Sequence, residues 1–107
     1  MFTGDNGTPE KFITDHKDGK FVREQIFSIL NGDTVIGGKK HLTNAGTNVP
    51  LIINWQGTTP AGAINESLID FSDFFPTLIE LAKSEIPKNR KIDGHSFAPQ
   101  ILSLIHI

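Results

Sequence analysis

Val49-Pro50-Leu51-Ile52-Ile53-Asn54-Trp55 constrains this chain more than any other stretch: a nearly continuous apolar run of strand length, rich in β-branched residues. A strand of alternating polarity can leave one face in water. A continuous run requires cover on both faces, as in a mixed or parallel sheet with helices packed against it. The expected fold class is therefore α/β. A helix is predicted over Phe74 to Lys83, capped by Asp73 and tolerating Pro76 in its first turn. Phe74, Phe75, Leu78, Ile79 and Ala82 fall on one of its faces, a stripe suited to a core. Thr8-Pro9-Glu10 reads as a second helix start, with Thr8 as N-cap and Pro9 at the first helical position. Phe21 to Leu30 has mixed periodicity and leaves helix and strand both open. His16 to Lys20 and Asn31-Gly32-Asp33 read as turns, and Gly37-Gly38 opens a loop that runs to Asn48.

At 107 residues the chain suffices for one domain with a real core and is too short for two ordinary ones. With 37% apolar and 21% charged residues it has a globular balance. A net charge of -2, with no basic stripe among its Lys and Arg residues, disfavours nucleic acid as a partner. The absence of cysteine excludes a disulfide framework and Cys-ligated zinc, and leaves the compartment open. No signal peptide is visible in these residues and no apolar run approaches membrane-spanning length, so no membrane partner is expected.

Both ends read as cut. Met1-Phe2-Thr3 running into Gly4-Asp5-Asn6-Gly7 reads as the last residues of a buried strand; a true start with a short edge strand is the alternative. Leu102-Ser103-Leu104-Ile105-His106-Ile107 matches an in-frame translation of the transposon-end adapter used in sequencing libraries, to be set aside from fold reasoning. A native apolar strand or helix end is the alternative there. The expected partition is residues 1–101 as native protein and 102–107 as foreign.

Phe2-Thr3-Gly4-Asp5-Asn6-Gly7, then Gly38-Lys39 with Gly46 and Val49-Pro50, then Asp73-x-x-Pro76-Thr77, then Asp93-Gly94-x-Ser96 form an ordered series. In order and spacing it is similar to the C-terminal half of the sulfatase family. Each piece alone is weak: Asp-Asn-Gly is a common hairpin turn, and a Lys-Lys pair is usually two solvated loop lysines. Their order across most of the chain is specific. The resemblance implies an alkaline-phosphatase-like α/β fold, a mixed sheet flanked by helices, in a parent that hydrolyses sulfate esters, sulfated carbohydrates among them. A periplasmic or secreted parent is compatible with it. It also implies a calcium ion, which takes several oxygen ligands from loops, with Asp5 and Asn6 matching the family's adjacent metal ligands. Such a pair at a strand's carboxyl end faces the crevice where α/β sheets bind ligands.

Lys39 matches the lysine that contacts the sulfate ester, which would make it both substrate-binding and catalytic. An ammonium there offsets charge on the sulfuryl oxygens and stabilises the leaving oxygen. Lys40 is a rival by chemistry, but counting back from Gly46 and Pro50 selects Lys39. His41 and His95 have no partner that the sequence identifies, and read as surface residues or residues behind the site. Asn44-Ala45-Gly46-Thr47-Asn48 stands where many members have Glu-Gly-Gly-x-Arg, closer to a bacterial subgroup, so the substrate stays open; Thr8 to Val35 carries no family motif. The family nucleophile is a formylglycine made from Cys or Ser in Cys/Ser-x-Pro-x-Arg. This chain has no Cys, and no Ser is followed by Pro two positions on. The resemblance thus implies that formylglycine lies outside these residues and that the isolated chain is inactive. A phosphonate or phosphodiester hydrolase of the same superfamily is an alternative parent, and a free-standing binding domain is the alternative outside enzymes.

Overall fold

The computed structural model describes residues 1–102, so the segment expected to be foreign lies, apart from Leu102, outside the described residues. The chain forms two compact units, Met1–Ile52 and a second that begins at Ile53.

In the first unit, β1 (Phe2–Thr3) pairs antiparallel with β6 (Leu51–Ile52), setting Phe2 opposite Ile52 and Thr3 opposite Leu51. Two hairpins lie between them in sequence. The first joins β2 (Lys11–Lys17) to β3 (Lys20–Gln25) and the second joins β4 (Phe27–Leu30) to β5 (Asp33–Ile36). No helix starts at Thr8-Pro9-Glu10, because the turns downstream decide the matter. Asp18 and Gly19 sit at φ 49° and 74°, and Asn31 and Gly32 at 53° and 89°. Two successive residues at positive φ are what a tight hairpin turn demands, and Asp-Gly and Asn-Gly supply them at least cost. Each turn folds its flanking residues back as strands, so both readings left open for Phe21 to Leu30 resolve to strand. A register shift between Ile13 and Asp15 makes a bulge in β2. The hairpins are tied at their bases: Ile26 N–H donates to Glu10 O at 2.8 Å, and Gly37 N–H donates to Ile26 O at 3.0 Å.

The long apolar run behaves differently from expectation. Only Leu51 and Ile52 join a ladder, and Ile52 and Trp55 are 57% and 44% exposed. Thr59 draws the chain into a turn after it, accepting from Trp55 N–H at 3.0 Å and donating to Trp55 O at 3.2 Å. The described residues carry strands and helices as an α/β chain does, and each of their three sheets is a two-stranded antiparallel pair.

The second unit contains α2 (Phe74–Leu81), preceded by a 3₁₀ turn over Phe71–Asp73, and α3 (Ala98–Ile101). Asp73 stands at the N-cap position of α2 as expected but makes no side-chain cap bond there; that bond is made by Asp70, the N-cap of the 3₁₀ turn. Its carboxylate accepts from Ser72 N–H at 2.8 Å, and the Asp73 carboxylate reaches back to Asp70 N–H at 2.9 Å, a reciprocal capping box. The buried face of α2 is also turned from the predicted one. Pro76 and Thr77 are buried, whereas Phe75 and Leu78 are about half exposed at 51% and 53%. Phe97 causes the rotation: its ring meets Phe74 edge-on at 5.5 Å, and its N–H seeks the Thr77 hydroxyl. Phe97, Ala98 and Ile101 with Thr77 make the tight core of this unit.

Candidate functional site

Three loops of the first unit converge. The bend Asp5-Asn6-Gly7 follows β1, Gly37-Gly38-Lys39 follows β5, and α1 (Asn44–Thr47) is a single helical turn leading towards β6. Gly7 N–H donates to Gly46 O at 2.8 Å, joining the bend to α1. Lys39 N–H donates to Thr8 O at 2.9 Å, joining the lysine loop to the residues just after the bend. His41 N–H donates to Gly38 O at 2.9 Å and closes the lysine loop on itself.

Glycine is required here for closeness rather than for unusual dihedrals. A Cβ on Gly7 would collide with the carbonyl of Ala45, and one on Gly46 would collide with the carbonyls of His41 and Gly38. The backbones therefore approach as closely as backbones can. Gly38 and Gly46 are buried beneath this contact.

Asp5 and Asn6 thus stand on a loop bonded to α1, and Lys39 is held by its own N–H two residues beyond Asn6. Asp5 and Lys39 are exposed, and Asn6 is half-buried. Among the described residues no hydrogen bond or ion pair engages the Asp5 carboxylate, the Asn6 amide or the Lys39 ammonium. Lys40, the rival lysine, lies at φ 80° as the loop turns. No group of three His, Cys, Asp or Glu side chains among the described residues is placed to hold a metal ion. Asp5 and Asn6 contribute one carboxylate and one amide carbonyl. Both are hard oxygen donors of the kind calcium takes, though few beside the roughly six to eight such an ion collects.

One contact near Lys39 has no local signal in the sequence. His41 Nε2 lies 2.8 Å from Glu10 Oε1, a hydrogen bond that becomes an ion pair when the imidazole is protonated. It fastens the lysine loop to the strip after Thr8, beside the Thr8–Lys39 backbone bond. With both side chains about half exposed, such a pair contributes no more than about 1 kcal/mol.

The remaining motif residues, in the second unit, are structural. Asp73 Oδ1 accepts from His95 N–H at 2.8 Å while its Oδ2 holds Asp70 N–H. These bonds favour the ionised form and hold the Asp73 carboxyl below its usual pKa. Asp70 is lowered likewise, chiefly by the Ser72 N–H. Thr77 Oγ1 donates to Asp73 O at 2.6 Å and accepts from Phe97 N–H at 2.9 Å. The Asp73-x-x-Pro76-Thr77 segment therefore clasps the backbone that follows Asp93-Gly94. The His95 N–H is used there, and among the described residues its imidazole makes no hydrogen bond.

The sulfatase family model matches residues 1–84. Arylsulfatase D of Homo sapiens is 34% identical over 100 residues, covering 88% of this chain and 16% of that protein. Arylsulfatase G of Mus musculus is 39% identical over 94 residues, covering 87% of this chain and 17% of that protein. An ulvan-active sulfatase of Formosa agariphila is 28% identical over 79 residues, covering 74% of the chain and 16% of that protein. The chain thus spans 16–17% of the length of these relatives. No solved structure matches it.

Proposed function

The chain belongs to the sulfatase family, and we propose that it is the part of a sulfuric ester hydrolase that brings metal and sulfate ligands to the active site. The observation that carries this is the convergence of the Asp5-Asn6-Gly7 bend and the Lys39 loop. Two backbone bonds, Gly7 to Gly46 and Lys39 to Thr8, join these loops although they are distant in sequence. In this reading Asp5 and Asn6 offer oxygens to calcium, the Lys39 ammonium faces the sulfate ester, and the parent has an alkaline-phosphatase-like α/β fold. Calcium, when bound, supplies positive charge that draws and polarises the ester's oxygens. Lys39 adds a second positive charge and favours departure of the alcohol oxygen. The nucleophile, a formylglycine, belongs to residues beyond these 107; the lack of Cys and of any Ser-x-Pro in the chain supports this. The substrate is a sulfate ester, with sulfated carbohydrate as the class favoured by the likeness to an ulvan-active sulfatase.

The test is calorimetric titration of the chain with calcium, alongside an assay with a chromogenic aryl sulfate. Two protein oxygens predict weak binding, with Kd on the order of 10⁻³ M, lost in Asp5→Ala, and no turnover without the nucleophile. Turnover that vanishes in Asp5→Ala would put the nucleophile within these residues and overturn the reading. Calcium binding indifferent to Asp5→Ala would remove Asp5 from the metal site.

A further inference from the structure

The β2–β3 hairpin lies in the stretch that carries no family motif, yet it springs from the strip beside Lys39: Glu10 O takes the Ile26 N–H, and Thr8 O takes the Lys39 N–H. Its two faces differ in chemistry. Cross-strand partners share a face, so Lys11↔Gln25, Ile13↔Arg23 and His16↔Phe21 lie on one side, and Phe12↔Glu24, Asp15↔Val22 and Lys17↔Lys20 on the other. The second side is charge-balanced: Asp15 and Glu24 offset Lys17 and Lys20, and Lys17 bridges Asp15 at 3.2 Å. The first side has no acid. It gathers Lys11, Arg23 and His16 around Phe21 and Ile13, in a chain whose net charge is -2. Phe21 is 62% exposed and Ile13 53%, and the His16 and Phe21 rings meet at 5.2 Å, tilted by 46°. Arg23 makes no ion pair among the described residues.

We propose that this face binds the sugar chain of a sulfated oligosaccharide, with Phe21 and His16 against a sugar ring and Arg23 and Lys11 holding its sulfate groups. A sugar ring has an apolar face of C–H bonds that suits an exposed aromatic, while its hydroxyls stay in water. A sulfate ester presents coplanar pairs of oxygens that match the guanidinium fork, and the lysine adds a point charge. Net positive charge on one face only gives the ligand a preferred side, which a purely apolar face would not. The proposal rests on the sulfatase reading for its choice of ligand. It extends that reading to a surface that recognises the polymer rather than the ester being cut.

The experiment is NMR on the 107-residue chain titrated separately with dextran sulfate oligomers, unsulfated dextran of the same length, inorganic sulfate and a single-stranded DNA oligonucleotide. Dextran sulfate should shift the signals of Ile13, His16, Phe21 and Arg23 and leave Asp15, Lys20 and Glu24 nearly still. Arg23→Gln and Phe21→Ala should each weaken binding about three- to tenfold, whereas Lys17→Gln and Lys20→Gln should leave it unchanged. Cross-strand contacts retained in Arg23→Gln guard against a merely unfolded hairpin. The proposal is overturned if dextran binds as well as dextran sulfate, if the oligonucleotide binds more tightly than dextran sulfate, or if the Lys17 and Arg23 substitutions weaken binding equally. Inorganic sulfate separates the two readings. Shifts at Gly38 and Lys39 with a silent hairpin would sink this proposal alone, and a responsive hairpin with a silent Lys39 would sink the assignment of Lys39 alone.

Discussion

Thr77 has no accessible surface, yet its hydroxyl is fully engaged, donating to Asp73 O and accepting from Phe97 N–H. A buried hydroxyl with two partners is worth more than its net hydrogen bonds suggest, because removing it strands both partners away from water. Thr77→Val keeps the shape and volume but leaves the Phe97 N–H unpaired, so urea unfolding should show a loss of about 1–3 kcal/mol. Thr77→Ser keeps the hydroxyl and gives up one methyl, at a cost nearer 1 kcal/mol. If the valine variant proves the more stable of the two, the hydroxyl is not what secures Phe97. This role was only half legible in the sequence. The Asp73-x-x-Pro76-Thr77 motif drew attention to Thr77, but apolar periodicity had placed Phe75 and Leu78 inward instead. Periodicity assumes that the buried stripe is apolar. Here a backbone N–H twenty residues away needed a partner, and the helix turned to supply one.

Among elements, the ones set by local chemistry were the most readable. The turns at Asp18-Gly19 and Asn31-Gly32 follow from residues that tolerate positive φ, and the break after Leu30 falls where it was expected. The strands around them were harder to read, because Phe12, Ile13, Phe21 and Val22 do not alternate cleanly when a bulge interrupts β2. The candidate site was legible as residues but not as a mechanism of assembly. Asp5, Asn6 and Lys39 stood out by their motif, whereas Glu10 and His41 carry no signal that links them. The glycines of the motif make a prediction at this scale. A Cβ at Gly7 meets Ala45 backbone, while one at Gly4 finds only ordinary contacts at 3.6 Å with Asn6 O and Val49. Gly7→Ala should therefore pull the bend off α1, raising amide hydrogen exchange at position 7 and at Lys39 by about tenfold or more, on the order of the loss of one backbone bond. Gly4→Ala should leave both rates close to those of the parent sequence. Equal responses would mean that the loops are not joined by close backbone contact.

For the molecule as a whole, apolar side chains that a finished domain would cover remain in water. Phe27, Ile29 and Ile36 share one face of the β4–β5 pair and are 66%, 64% and 48% exposed. A two-stranded pair with a bare apolar face is marginal alone and invites association. The chain by itself should bind a hydrophobic dye strongly and sediment partly as larger species. Co-expression with the remaining part of a sulfatase should lower the dye signal. A chain that is monomeric and dye-silent alone would mean that these faces need no cover. The apolar run ending at Trp55 belongs to the same account, since its expected burial depended on neighbours that sequence periodicity cannot name. The backbone bond from Gly7 to Gly46 also bears on how the protein ages. Asn-Gly pairs decay when the glycine nitrogen turns back on the asparagine side chain and closes a five-membered imide. At Asn6 that nitrogen is tied to Gly46 O, whereas no such tie holds the Gly32 nitrogen after Asn31 among the described residues. Chemical wear is thus steered to a hairpin tip, and the Asn6 amide keeps its identity for longer.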